Sequence, residues 1–97
     1  MADYKISEEA KQDLRRIYKY GVLKFGVKQA DKYFDSFFSN FDLIAQRPLS
    51  FESVSYIRRN YRRCPCDSDS IYYKINNGVV EIMAIVGSQD LEAIFNH

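Results

Sequence analysis

The sequence predicts an α+β fold. An N-terminal strand leads into an antiparallel two-helix hairpin, which packs on one face of a mostly antiparallel, three- to four-stranded sheet. Three observations predict it. Residues 71–86 form two β-branched and aromatic runs around Asn76-Asn77-Gly78, and Asn-Gly accepts the positive φ angles of a tight hairpin turn. Two apolar stripes at helical period lie upstream, joined only at Gly26, and a join that short makes the helices antiparallel neighbours. The last run, 79–86, has a single charge, Glu81, as expected of a strand near the centre of its sheet.

Taken in order, Tyr4 and Ile6 alternate with Asp3 and Lys5, which predicts a first strand ending at Ser7. Ser7 is suited to cap the first helix, and Glu8 and Glu9 suit the positive end of its dipole. That helix runs from residue 8 to 24 or 25, with Ala10, Leu14, Ile17, Tyr18, Gly21 and Phe25 on one stripe. Gly21 weakens a helix by roughly 1 kcal/mol relative to alanine, which suggests close approach of another helix. The second helix spans 27–46, with Ala30, Phe34, Phe37, Phe38, Phe41, Ile44 and Ala45 sharing a stripe suited to docking on a sheet. Ser36, Asn40 and Leu43 fall on its opposite face. Pro48 stops it. Residues 55–63 alternate loosely and read as a second strand, and Cys64 to Ser70 carry the turn chemistry of Pro65 and Asp67-Ser68-Asp69. The hairpin follows. Gly87 closes its last strand, and 89–95 read as a final helical turn or a flexible tail.

A chain of 97 residues is one domain, 1–97, large enough for a single core. With 46% hydrophobic and 28% charged residues it belongs with globular rather than disordered chains. No apolar run approaches the ~20 residues of a membrane span, and the start lacks the basic-then-apolar pattern of a signal peptide, so a cytoplasmic protein with no membrane partner is expected. Cys64 and Cys66 flank Pro65, a spacing at which a disulfide would be strained. The only histidine, His97, is terminal, so no metal site and no cofactor are expected, and the thiols read as reduced.

The same missing histidine removes serine and cysteine triads, and the scattered glycines offer no phosphate loop. Net charge is only +1, but the arginines of the second half are gathered into Arg58-Arg59 and Arg62-Arg63, interleaved with Tyr56 and Tyr61. Such a knot holds carboxylates or phosphates bidentately, or serves as a charged strand edge that resists mispairing. Eight tyrosines and seven phenylalanines exceed what a two-helix core comfortably buries. If the helices cover one sheet face, Tyr72, Met83 and Ile85 face the other way. That face is then either an exposed protein-binding site or covered by Leu91, Ile94 and Phe95.

The ordered set Ile6-Ser7, Ala10, Asp13-Leu14, Ile17, Tyr20, Phe25-Gly26, Gln29-Ala30 and Tyr33, then Phe41, Ile44-Ala45, Pro48, Tyr61-Arg62, Ile71-Tyr72-Tyr73 and Gln89-Asp90, resembles the ParE toxins of the ParE/RelE toxin-antitoxin superfamily. The resemblance covers nearly the whole chain. It implies the fold above, a ParD-like antitoxin whose C-terminal segment folds along the toxin, and DNA gyrase as target. The ribosome-dependent mRNA endonucleases of the same superfamily use basic side chains and often a tyrosine near the C-terminus. Between Gly87 and Asn96 this chain has no Arg, Lys or Tyr, which favours a binding toxin over a nuclease.

The resulting expectation is a non-enzymatic inhibitor with no catalytic residue. The antitoxin would occupy the open sheet face through Tyr72, Met83 and Ile85, and lie along the helical hairpin. Arg58, Arg59, Arg62, Arg63, Gln89 and Asp90 would contact the target, without direct sequence-specific binding of nucleic acid. The alternative is an endonuclease in which Arg62 or Arg63 stabilises the transition state and His97 acts as acid or base. A third possibility is a toxin that has lost activity and only binds its antitoxin.

Overall fold

The structure, a computed structural model, describes residues 3–87. Strand β1 (Tyr4–Ile6) is followed by helices α1 (Glu8–Phe25) and α2 (Val27–Gln46), then strands β2 (Glu52–Ser53), β3 (Arg62–Cys66), β4 (Asp69–Asn76) and β5 (Val79–Gly87). The strands form one five-stranded sheet in the order β1-β5-β4-β3-β2. β1 runs parallel to β5, and the other pairs are antiparallel. The sheet therefore has more strands than the three or four expected, because β2 adds a two-residue edge that no local pattern announces. No helix among the described residues is long and apolar enough to cross a membrane.

The β4–β5 turn forms as read. Asn76 pairs with Val79, and Asn77 and Gly78 take φ of 52° and 79°, the two positive angles of a type I′ turn. Between the helices, Gly26 at φ 90° makes the tight reversal that a side chain would strain. Gly21 faces Ala30 across the hairpin, but a Cβ there would sit 3.4 Å from the Ala30 Cβ, an ordinary contact. The helices do approach closely at this point, yet glycine is not required.

The strand expected over 55–63 is not one. Strand geometry begins at Arg62 and continues through Cys66, into what read as turn. Residues 54–61 instead coil into a lid of consecutive turns. The Val54 N–H donates to the Tyr61 carbonyl at 2.8 Å, and the Val54 carbonyl accepts from Ile57 N–H at 2.8 Å and Arg58 N–H at 3.1 Å. Asn60 sits at φ 67°. The physical reason is the spacing of the apolar side chains. Val54, Ile57 and Tyr61 recur every three to four residues and so can meet a surface only from coiled backbone.

The two sheet faces are closed differently. On one, Ile71, Tyr73, Val80, Ile82 and Ile85 meet Ala10 and Leu14 of α1 and Phe37, Phe41 and Ile44 of α2, all buried. On the other, Tyr72, Ala84 and Val86 are buried under Val54, Ile57 and Tyr61 of the lid. Ser36 and Asn40, assigned to the solvent side of α2, turn instead toward β3. The Asn40 amide donates to Cys66 Sγ at 3.3 Å, and Cys64 Sγ donates to Asn40 Oδ1 at 3.8 Å. Both cysteines are free thiols. Burial pushes Cys64 up to about 11 and Tyr73 up to about 12.

A bulge in β5 sets which residues face which side. Tyr72 pairs with Ala84 while Tyr73 pairs with Ile82, so Met83 has no opposite number. Past Ile82, β1 has ended and the outer edge of β5 would be unpaired. Residues from the start of α1 complete it. The Ser7 hydroxyl donates to the Met83 carbonyl at 3.0 Å while accepting the Ala10 N–H as helix cap, and an Asp13 carboxylate oxygen accepts the Ile85 N–H at 3.0 Å.

Candidate functional site

The arginine cluster is divided by the fold into two pairs with different work. β3 places Arg62 opposite Tyr73, on the helix side, and Arg63 opposite Tyr72, on the lid side. Both are half-buried and engaged. Arg62 Nη1 donates to the Phe51 carbonyl at 2.7 Å, fixing the segment before β2. Arg63 Nε donates to Ser70 Oγ at 2.9 Å, and its Nη1 to Glu52 Oε1 at 2.9 Å, joining β2 to β3 and β4. The Glu52 partner raises the Arg63 pKa further, so the guanidinium stays charged. Arg58 and Arg59 instead ride on the lid, exposed beside Tyr56, which is 81% exposed. Burial raises the Tyr61 hydroxyl at the lid's end, and the Arg58 charge partly offsets this.

The open sheet face expected for Tyr72, Met83 and Ile85 does not exist in that form. Tyr72 is buried beneath the lid, where burial raises its pKa against the lowering effect of Arg63. Ile85 is buried on the helix side, because the bulge at Met83 reverses the alternation after Ile82. Met83 is half-buried at the bulge itself. Gln89 and Asp90 lie outside the described residues, as do Leu91, Ile94, Phe95 and His97.

The surplus aromatics surface elsewhere. At the joined ends of α1 and α2, Tyr20, Leu23, Phe25 and Val27 are all exposed, Leu23 at 82% and Phe25 at 63%. Phe25, expected on the buried stripe, is instead exposed at the C-terminal end of α1. Lys24 Nζ lies 5.4 Å from the Tyr20 ring centre and 5.6 Å from that of Phe25, and also donates to the Tyr20 hydroxyl at 3.0 Å. Beside this patch runs a groove of about 610 Å³ along the helices, passing Tyr20, Gly21, Lys24, Phe25, Ala30 and Tyr33. At its far side the Tyr33 hydroxyl donates to Asp69 at 2.5 Å, and burial together with that carboxylate holds the phenol strongly protonated.

Glu52 and Ser70 separate the engaged Arg62-Arg63 pair from the exposed Arg58-Arg59 pair, and neither they nor most of the hairpin tip stand out in the sequence. The tip had a signal. Leu23, Phe25 and Val27 crowd around the turn glycine Gly26. Among the described residues no group of three or more His, Cys, Asp or Glu is placed to hold a metal. The described residues thus present a charged lid over one sheet face and an apolar, lysine-bearing tip on the helices.

Comparison with known proteins agrees with that architecture. The family model for the ParE toxin of the parDE type II toxin-antitoxin system matches residues 4–92. Toxin ParE1 of Caulobacter vibrioides is 33% identical over 87 residues, covering 89% of this chain and 88% of that protein. A solved chain of the chromosomal ParDE toxin-antitoxin system from P. aeruginosa superposes with a TM-score of 0.79 over 90% of this chain and 96% of that one, at 18% identity, a likeness of fold. A family match across nearly all of the chain, a relative at this level of identity and the sheet-and-hairpin fold lead to one conclusion: the chain belongs to the ParE toxins of type II toxin-antitoxin systems.

Proposed function

We propose that this toxin arrests growth by binding DNA gyrase rather than by chemistry of its own, and that a ParD-like antitoxin neutralises it. The observation that carries the target reading is the exposed pair Arg58 and Arg59 with Tyr56 on the lid, since arginine and tyrosine are the side chains most often found as binding hot spots. Binding rather than catalysis is supported by Arg62 and Arg63. In the free toxin Arg62 bonds the Phe51 carbonyl and Arg63 bonds Ser70 and Glu52, which supports a binding rather than a catalytic use of both. The antitoxin is assigned to the hairpin tip and its groove, where Tyr20, Leu23, Phe25 and Val27 offer the contiguous apolar surface that an amphipathic segment covers.

Purified gyrase with the free toxin tests this directly. Inhibited supercoiling, or trapped cleaved DNA, is the expected outcome. Unchanged supercoiling and no cleavage at high toxin excess would refute gyrase as the target while leaving the family assignment standing.

A further inference from the structure

Beneath the lid, on the second sheet face, lies a cleft of about 160 Å³ walled by Ile57, Tyr72 and Val86, with Glu52, Arg63 and Ser70 supplying its polar groups. Small-molecule sites begin at roughly 300 Å³, so this cleft has room for a single side chain. Its arginine is held unevenly. From below, Ser70, itself 6% exposed, accepts from Nε at 2.9 Å. The Tyr72 hydroxyl also bonds the guanidinium, and from above it is capped by Glu52, whose side chain is 53% exposed on a two-residue edge strand. One side of the guanidinium is therefore fixed by the fold. The other is capped by a carboxylate that can swing into water.

We propose that this cleft is an anchor pocket for one carboxylate side chain of a protein partner. Glu52 occupies Arg63 in the free toxin, and the incoming Asp or Glu displaces it. The planar guanidinium matches a carboxylate bidentately, and Tyr72 and Ile57 provide apolar walls for the aliphatic stem of a glutamate. Glu52 is more than half exposed, so water screens its pairing with the half-buried Arg63 and exchange for another carboxylate costs little. A nucleic-acid phosphate is the poorer occupant. A backbone needs several cations in a row, Arg62 is turned to the other face, and Glu52 at the mouth repels phosphate. This inference deepens the proposed function, resting on the reading that the lid side meets a protein partner.

The test uses the full ¹⁵N-labelled chain and follows the Arg63 Nε–Hε resonance, assigned by its loss in Arg63→Lys. The probes are acetyl-glutamyl-amide, acetyl-glutaminyl-amide and a short oligothymidylate. The glutamyl probe is expected to shift the Arg63 resonance and the Ser70 and Tyr72 amides, and the glutaminyl probe to leave them unmoved. Glu52→Gln, which removes the internal competitor from an exposed edge, should tighten the glutamyl probe roughly fivefold. Arg63→Lys keeps the charge but loses the fork, and should abolish the Ser70 and Tyr72 shifts while the rest of the spectrum stays in place. Equal response to the two amino-acid probes, or no tightening in Glu52→Gln, would overturn the proposal. So would an oligothymidylate that moves these resonances at lower concentration than the glutamyl probe. If wild-type toxin inhibits gyrase while the Arg63 resonance ignores the glutamyl probe, the anchor pocket falls and the target assignment stands.

Discussion

The two faces of the sheet are built to different standards. On the helix side, two long helices lay Phe37, Phe41 and Ile44 onto Ile71, Tyr73, Ile82 and Ile85, and all seven are fully buried. On the lid side, Tyr72, Ala84 and Val86 are covered by a short coil in which only Val54 is fully buried, with Ile57 and Tyr61 half-exposed. Stability is thus concentrated on one face. The other is closed just well enough to exclude water, and its cover can carry exposed arginines without weakening the core. Side chains on the lid can vary with a partner, while those under the helices answer to packing.

The contrast breaks most visibly by truncation on each side. Phe41→Ala should lower unfolding free energy by about 3–5 kcal/mol, and Ile57→Ala by only about 1–2 kcal/mol, as read from urea denaturation midpoints. Equal costs would mean that the lid is as integral as the helices. Asp13→Ala tests how the helix side is fastened to the bulge. It leaves the Ile85 N–H without its charged acceptor and should cost about 1.5–3 kcal/mol.

Ionisation sharpens the same comparison, because the raised thiol lies on the helix side. Cys64 is raised from 9.0 to about 11 in the folded chain, so above pH 9 the unfolded chain releases its proton first and binds fewer protons than the native state. Stability is therefore whole below pH 9 and falls as pH rises toward about 11, by up to about 1.4 kcal/mol per pH unit for this group. Tyr73, raised from 10.0 to about 12, extends the loss upward. Denaturation free energies at pH 8, 9, 10 and 11 would show the decline, and a flat profile would mean that these groups are not held away from water. The smallest effect runs the other way. Gly21→Ala should stabilise by up to about 1 kcal/mol, since the added methyl meets Ala30 at an ordinary distance.

What the sequence made legible was whatever depends on neighbours in the chain. Ser7 as cap, Gly26 as reversal and Asn77-Gly78 as turn are local chemistry, and the phenylalanines of α2 share a face by periodicity alone. The bulge at Met83 was not legible, because it exists only as a mismatch between two strands. It reversed Ile85, so a strict period of two led to the wrong face. The lid was partly legible. Val54, Ile57 and Tyr61 follow a spacing near three and a half, which a loose alternation around Ile57, Arg59 and Tyr61 masked. Among the arginines, type and position were evident, but the division between Arg62-Arg63 and Arg58-Arg59 rests on Phe51, Glu52 and Ser70, brought up by the loop and by β4.

We propose that the lid carries recognition without carrying stability. The most direct test is gyrase supercoiling in the presence of the double variant Arg58→Ala, Arg59→Ala, with thermal unfolding measured on the same sample. The expected result is a melting temperature within about 2 °C of wild type and an inhibitory concentration raised roughly tenfold or more, the loss that follows when interface arginines are replaced on an otherwise intact surface. Inhibition at the wild-type concentration by a fully folded variant would contradict it.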